Sequence, residues 1–295
     1  MAENRNAQQV REITDKLEQG LKELFESERF KEYLKTMSKF YNYSFNNTLL
    51  IAMQKPDATL IAGYTAWQRN FDRHVMKGEK GIKILAPAPY KVQEAREKLD
   101  PATQKPVLDK DGKPVTETVE VTRPAFKVVS VFDVSQTDGK ELPDITVDEL
   151  TGSVENYAAF FDALKELSPV PIAFENITDG AKGYFSHVEN RIAIQEGMSE
   201  IQTIKTAIHE IAHAKLHAVT PGEKVAPEDK KDRRTKEVEA ESVAYTVCQR
   251  YGIETSDYSF GYIAGWSSDK ETKELKGSLE TIRKTAAEMI TGIDE

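Results

Sequence analysis

Apolar residues return every three or four positions through residues 7–41, at Val10, Ile13, Leu17, Leu21, Leu24 and Phe25, with charged residues between them. That period marks one face of an α-helix. FNNTLLIAMQ (45–54) predicts a second helix, closed ahead of Pro56 because the residue before a proline avoids helical geometry. TAWQRNF (65–71) predicts a short third helix. Gly78 and Gly81 then mark a turn after Val75, and IKIL (82–85) predicts a strand. Residues 87–124 lose the pattern: they are rich in Lys, Asp, Glu, Thr and Pro and hold the turn pair Asp111-Gly112, as an exposed hairpin or insertion would. FKVVSVFDV (126–134) returns to strand, and 135–152 is expected as a linker.

The second half opens with a helix over about 153–167, built on Val154, Tyr157, Phe160, Phe161 and Leu164. VPIAFE (170–175) and RIAIQ (191–195) predict strands on either side of a turn region, GAKGYFSHVEN. Helices follow at 200–218, 235–251 and 271–291, the first two separated by a polar loop at 219–234. No internal repeat or heptad run is present. The pattern predicts an α+β chain in two domains, residues 1–140 with a polar insertion at 87–124, and residues 150–295, with the boundary near 138–152.

Composition adds limits. A chain of 295 residues, 39% hydrophobic and 30% charged, is ordinary for a globular protein with room for two domains. No apolar run reaches the roughly 18 residues of a membrane span. The start, MAENRNAQQVREITDKL, lacks the apolar core of a secretory signal. The single cysteine, Cys248, cannot form an internal disulfide, so a cytoplasmic location is expected. The net charge is −9, but it is uneven: residues 1–140 carry 23 Lys+Arg and 20 Asp+Glu, which leaves −12 for the remainder. Residues 41–92 hold seven basic and three acidic side chains.

The sharpest local signal is His209-Glu210-Ile211-Ala212-His213. Two histidines at i and i+4 share one face of a helix, about 6 Å apart. Both imidazoles can therefore reach one Zn²⁺ at about 2.0–2.1 Å. Glu210 can sit beside the open coordination position and take a proton from water that the metal has acidified to a pKa of about 7. This is the H-E-x-x-H pattern of zinc peptidases. His217 lies eight helical steps from His209, about 12 Å along the axis, so one metal cannot take both. It is expected as a helix-end or packing residue.

A third ligand is expected from EVEAESVAY downstream. Glu237 and Glu241 share a helical face, while Glu239 points elsewhere. One of the pair can bind metal and the other can hold a ligating histidine by a hydrogen bond. The order is similar to that of thermolysin-like zinc peptidases, and that likeness makes Glu237 the ligand and Glu241 its supporting carboxylate. Tyr184, His187 and Tyr245 are candidate donors to an oxyanion, and RIAIQ could offer an edge to which an extended peptide adds.

In the first half, Trp67, Arg69, Phe71, Arg73, His74, Lys77, Lys80 and Lys83 interleave aromatic and basic groups. Bases stack on aromatic rings for about 1–3 kcal/mol each while cations follow the phosphates, the logic of a single-stranded nucleic acid groove. A solvated basic turn with Trp67 and Phe71 in the core fits the same residues.

Taken together, GYFSHVENRIAIQEG, TAIHEIAHAKLH and EVEAESVAY resemble the ImmA/IrrE group of intracellular zinc metallopeptidases and the C-terminal domain of ArdC antirestriction proteins. YNYSFNNTLLIAMQ, YTAWQRNFDRHVMKGEKGIKILAP and FKVVSVFDVSQT resemble the ArdC-type N-terminal domain that binds single-stranded DNA. Residues 87–124 and the region after Tyr251 lie outside these blocks. The resemblance implies an antirestriction-type protein of a mobile genetic element. It implies a zincin-like metallopeptidase domain holding Zn²⁺ on His209, His213 and Glu237, with Glu210 as general base. It also implies single-stranded DNA contacts from Trp67, Arg69, Arg73, Lys77, Lys80 and Lys83, and a protein substrate that the sequence does not name. A regulatory protease that cleaves a repressor, and a DNA-binding protein with a non-catalytic zinc site, are the alternatives.

Overall fold

The computed structural model describes residues 2–101, 103–142, 154–178, 180–218, 231–253, 255, 258, 260–268 and 270–295. Helices α1 (Ala2–Leu24) and α2 (Ser27–Lys39) replace the single helical stretch expected over 7–41. Leu24 and Phe30 are both buried, yet six residues apart they would point about 120° apart around one continuous helix. Extended backbone at Glu26 resets the phase. α3 (Phe45–Gln54) starts where the Ser44 hydroxyl accepts a hydrogen bond from the Asn47 amide. β1 (Ile61–Gly63) leads into α4 (Tyr64–Phe71), which ends with Asp72 in the left-handed region, and β2 (Arg73–Val75) follows.

β3 (Ile82–Pro87), β4 (Tyr90–Glu97), β5 (Thr116–Arg123) and β6 (Phe126–Asp133) come next, with β1, β6 and β3 forming a sheet in that order. The polar stretch 87–124 folds as an antiparallel ribbon, β4 on β5, in register from Tyr90 opposite Arg123 to Glu97 opposite Thr116. The expected linker starts inside ordered structure: Val134–Gln136 make a 3-10 turn, and β7 (Thr137–Gly139) pairs with β2. Residues 143–153 of that linker, and 219–230 of the polar loop, lie outside the described residues.

The remainder is α5 (Val154–Leu167), β8 (Ile172–Glu175), β9 (Gly183–Ser186), β10 (Arg191–Gln195), α6 (Glu200–His217), α7 (Arg233–Arg250), α8 (Ile263–Ser267) and α9 (Thr272–Asp294). β9 and α8 are not evident in the sequence pattern. β10 is central, parallel to β8 and antiparallel to β9. Ile192, Ala193 and Ile194 on β10 are fully buried. Helices α6 and α7 pack on each other, and their small residues Ala207 and Ala212 on α6 and Ala240 and Ala244 on α7 are fully buried.

The chain forms two compact units, Met1–Lys16 with Lys83–Ser130, and Leu17–Ile82 with Val131–Glu295. Within the second unit α2 packs on α3 and α7, while α9 packs on α7, α5 and α3. Helices from the N-terminal third therefore share a core with helices from the C-terminal half.

Candidate metal centre

α6 is started by Ser199, whose hydroxyl accepts from the Gln202 amide. Ten residues in, the helix presents His209 and His213 one turn apart. Their Nε2 atoms are 3.1 Å from each other. α7, started by Asp232 accepting from the Thr235 amide, brings Glu237 Oε2 to 3.7 Å from His209 Nε2 and 3.6 Å from His213 Nε2. Three atoms with these separations share a centre about 2.0 Å from each, the distance Zn²⁺ keeps from imidazole nitrogen and carboxylate oxygen. Among the described residues this is the group of His, Cys, Asp and Glu side chains spaced to hold a metal ion. The two imidazoles beside it hold the Glu237 carboxyl far below its ordinary pKa. Burial opposes charge on His209, but the nearby carboxylates of Glu237, Glu210 and Glu241 raise its pKa.

Glu210 is buried beside this triangle, and burial raises its carboxyl above the usual range. Strand β9 crosses over it. A β-carbon on Gly183 would meet Thr206 Cγ2 at 2.6 Å, the Ala193 carbonyl at 2.9 Å and Glu210 Cγ at 3.4 Å. Only a glycine lets the strand pass this close to α6. Two clefts meet here. One, of about 640 Å³, is lined by β9, His187, His209, Glu210, His213 and Glu237. The other, of about 490 Å³, is lined by Gly183, Thr206, His209, Glu210, Glu241 and Tyr258. The edge strand at the clefts is β9; RIAIQ, expected as an edge, is the central strand with both sides paired.

The three oxyanion candidates separate. His187 lines the larger cleft. Tyr184 also lines it, but its hydroxyl donates to Glu175 at 2.6 Å and accepts from Arg191 at 3.2 Å. Tyr245 is buried, its ring packed edge-on against Tyr258 and Phe260. Glu241 accepts from the Tyr262 hydroxyl and lies in the smaller cleft with His209.

The imidazole behind His213 belongs to His217: the two Nδ1 atoms are 3.0 Å apart, and His217 Nε2 is 3.0 Å from Glu239 Oε2. Glu239 therefore does not point away from the site. It is fully buried, accepts from Lys231 at 2.7 Å on both oxygens, and is held ionised against burial by His217, Lys231 and Ser278. The third histidine of the HEIAHAKLH run was the available signal for this contact.

Residues 4–132 match the family described as the N-terminal domain of anti-restriction factor ArdC, and residues 168–251 match the IrrE N-terminal-like domain of the M78 peptidase family. The chain joins an ArdC N-terminal domain to an IrrE-like domain. It is 30% identical, over 98% of its length, to the uncharacterized protein pXO2-81 of Bacillus anthracis, and spans 52% of that relative. It is 33% identical to the DNA primase TraC of Escherichia coli over 47% of its length and 12% of the primase. Crystal structures of the antirestriction protein ArdC from plasmid R388, metal-free and Mn(II)-bound, are 21% identical to it. They cover 85% and 86% of this chain, which covers 83% and 84% of theirs, with TM-scores of 0.49 and 0.48. Among the described residues no helix is long and apolar enough to cross a membrane.

In the ArdC-type domain two of the six residues expected at DNA have structural positions instead. Trp67 is 0% exposed, tilted against Phe71, and its Nε1 donates to the Phe132 carbonyl at 2.9 Å. A ring so enclosed cannot stack on a base. Arg73 donates to the Thr137 hydroxyl and carbonyl at 2.8 Å each and to the Lys140 carbonyl at 2.6 Å, so its guanidinium ties down β7. Arg69, Lys77, Lys80 and Lys83 are exposed, and Lys83 Nζ donates to Ser130 Oγ at 2.5 Å. The exposed aromatic ring of α4 is that of Tyr64.

Proposed function

We propose that the IrrE-like domain is a zincin-like zinc-dependent peptidase and that the ArdC-type domain binds single-stranded DNA, an antirestriction-type pairing suited to a mobile element. The observation that carries the metal half is the triangle of His209, His213 and Glu237 donor atoms around a common centre, with Glu210 buried at its side. Two imidazoles and one carboxylate suit Zn²⁺ better than Mn²⁺, which prefers all-oxygen sites. A bound Zn²⁺ supplies a Lewis acid that polarises a peptide carbonyl and acidifies water. Glu210 then takes the proton of the attacking water and passes it to the departing amine. The open edge of β9 aligns an extended substrate by main-chain pairing. His187, on the turn after β9, donates to the oxygen that gains charge. The protein substrate is unassigned.

The DNA half rests on the ArdC N-terminal match and on the exposed cations Arg69, Lys77 and Lys80, with Tyr64 in place of Trp67 as the stacking ring. We further propose that function divides between residues 1–140 and 150–295.

Metal analysis of the full chain, loaded in a mixture of Zn²⁺ and Mn²⁺, is expected to find one zinc per chain. His213→Ala and Glu237→Ala should lose it. Glu210→Gln should keep the zinc and abolish cleavage of fluorescein-labelled casein. Zinc-free protein, or full cleavage by Glu210→Gln, would refute the peptidase reading. For DNA, gel shifts of the full chain at two salt concentrations should weaken as salt rises. Lys77→Ala/Lys80→Ala should flatten the log–log slope by about 1.4, at about 0.7 per phosphate contact. No shift of single-stranded DNA at low salt would refute that half alone.

A further inference from the structure

We infer that His217 and Glu239 are positioning residues for the metal centre, fixing His213 in the tautomer that presents Nε2 to the metal. The inference rests on the metal-site reading above. α6 sets His209, His213 and His217 on one stripe, and the axial rise that keeps His217 off the metal puts its ring directly behind His213. The two Nδ1 atoms, 3.0 Å apart, need one proton between them. The remaining contact says who carries it. His217 Nε2 lies 3.0 Å from Glu239 Oε2, and an ionised carboxylate can only accept. His217 Nε2 must therefore carry hydrogen, which in the neutral ring leaves its Nδ1 bare. That bare nitrogen accepts from His213 Nδ1–H. His213 Nε2 then keeps its lone pair, and it is the atom facing His209 and Glu237.

Glu239 is kept ionised by Lys231, 2.7 Å from both carboxylate oxygens. The side chains of His217 and Glu239 are 2% and 0% exposed, so water does not compete for either end of the chain of bonds. Burying an imidazole and a carboxylate costs free energy that an apolar pair would not. Apolar side chains serve at the neighbouring Val238 and Ala240, so packing alone does not call for these two.

The test titrates metal-stripped full-length protein with Zn²⁺ against a chromophoric chelator. His217→Leu and Glu239→Gln should each lower zinc affinity, about 10–100-fold for His217→Leu. His217→Gln should recover most of that loss, because its amide oxygen can accept from His213 while its NH₂ donates to Glu239. Wild-type affinity in His217→Leu overturns the inference. So do equal losses in the Leu and Gln variants, which would make shape rather than hydrogen bonding the cause. Nitrogen-15 NMR of the histidine-labelled wild-type zinc form reads the tautomers whether or not any variant folds. Protons on His213 Nδ1 and His217 Nε2 are expected, and a proton on His217 Nδ1 overturns the assignment. Wild-type protein that takes up no zinc overturns the metal-site reading itself, whereas zinc uptake without this proton pattern overturns only the inference.

Discussion

Trp67 and Asp133 show how a residue's surroundings decide between readings that the sequence leaves open. Aromatic and basic residues alternate from Trp67 to Lys83 because a surface helix and turn alternate inward and outward positions, so alternation alone cannot separate a stacking ring from a core ring. Trp67 is on the inner side. Trp67→Ala is expected to destabilise the chain by about 3–5 kcal/mol, measured by denaturant unfolding. A folded variant that loses only DNA affinity would restore the stacking role. Asp133 is buried, and its carboxylate accepts from the Thr59 and Leu60 amides at 2.7 and 3.2 Å and from the Ser135 amide and hydroxyl at 2.9 and 2.6 Å. Burial alone would raise its pKa, but these bonds bring it below the ordinary value. A carboxyl with a depressed folded pKa contributes stability above its unfolded pKa of about 3.9, and loses it as pH falls through the folded value. The melting temperature of the wild type should thus fall more steeply than that of Asp133→Asn below about pH 4, and parallel curves would exclude this linkage. Glu239 was illegible for a different reason. A helical wheel turns it away from Glu237, and that direction reads as solvent, but α7 is packed on nearly every side and the direction leads to His217.

At the scale of elements, local periodicity carried furthest where caps and breakers agreed with it. Ser44 and Ser199 begin α3 and α6 within a residue or so of the expected starts, and the two histidines of α6 fall on one face because i, i+4 is a property of any helix. The division of α1 from α2 was visible only as a shift in hydrophobic phase. β9 gave almost no signal: four half-buried residues inside a polar, glycine-containing stretch. Its position depends on what α6 allows, through Gly183. Gly183→Ala would press a methyl against the Ala193 carbonyl, which cannot move without breaking the β9–β10 pairing. The variant should lose about 1–3 kcal/mol of stability in urea. An unchanged midpoint would mean that β9 does not lie on α6.

Across the whole molecule, matches to known families and compact units divide the chain differently. The ArdC-type match ends at residue 132 and the IrrE-like match begins at 168, yet Leu17–Ile82 belongs to the same compact unit as Val131–Glu295. Long-range packing of this kind cannot be read from local patterns, which is why a boundary near 138–152 was the natural expectation. Fragments 1–140 and 150–295 made separately should each melt below the full chain or aggregate, because α2 and α3 would lose α7 and α9 as partners. Two fragments as stable as the intact protein would show that the shared core contributes little. The same packing also bears on synthesis. About 190 residues separate the end of α2 from the start of α7. At about 5–20 residues per second a ribosome needs roughly 10–40 s to cover that distance. For that interval the apolar residues of α2, Phe30, Leu34 and Met37 among them, all fully buried in the finished protein, wait in the nascent chain before α7, on which α2 packs, is made. Transiently exposed apolar surface of this kind favours aggregation, and here it stays open until α7, and for Phe30 also Phe260, has been made.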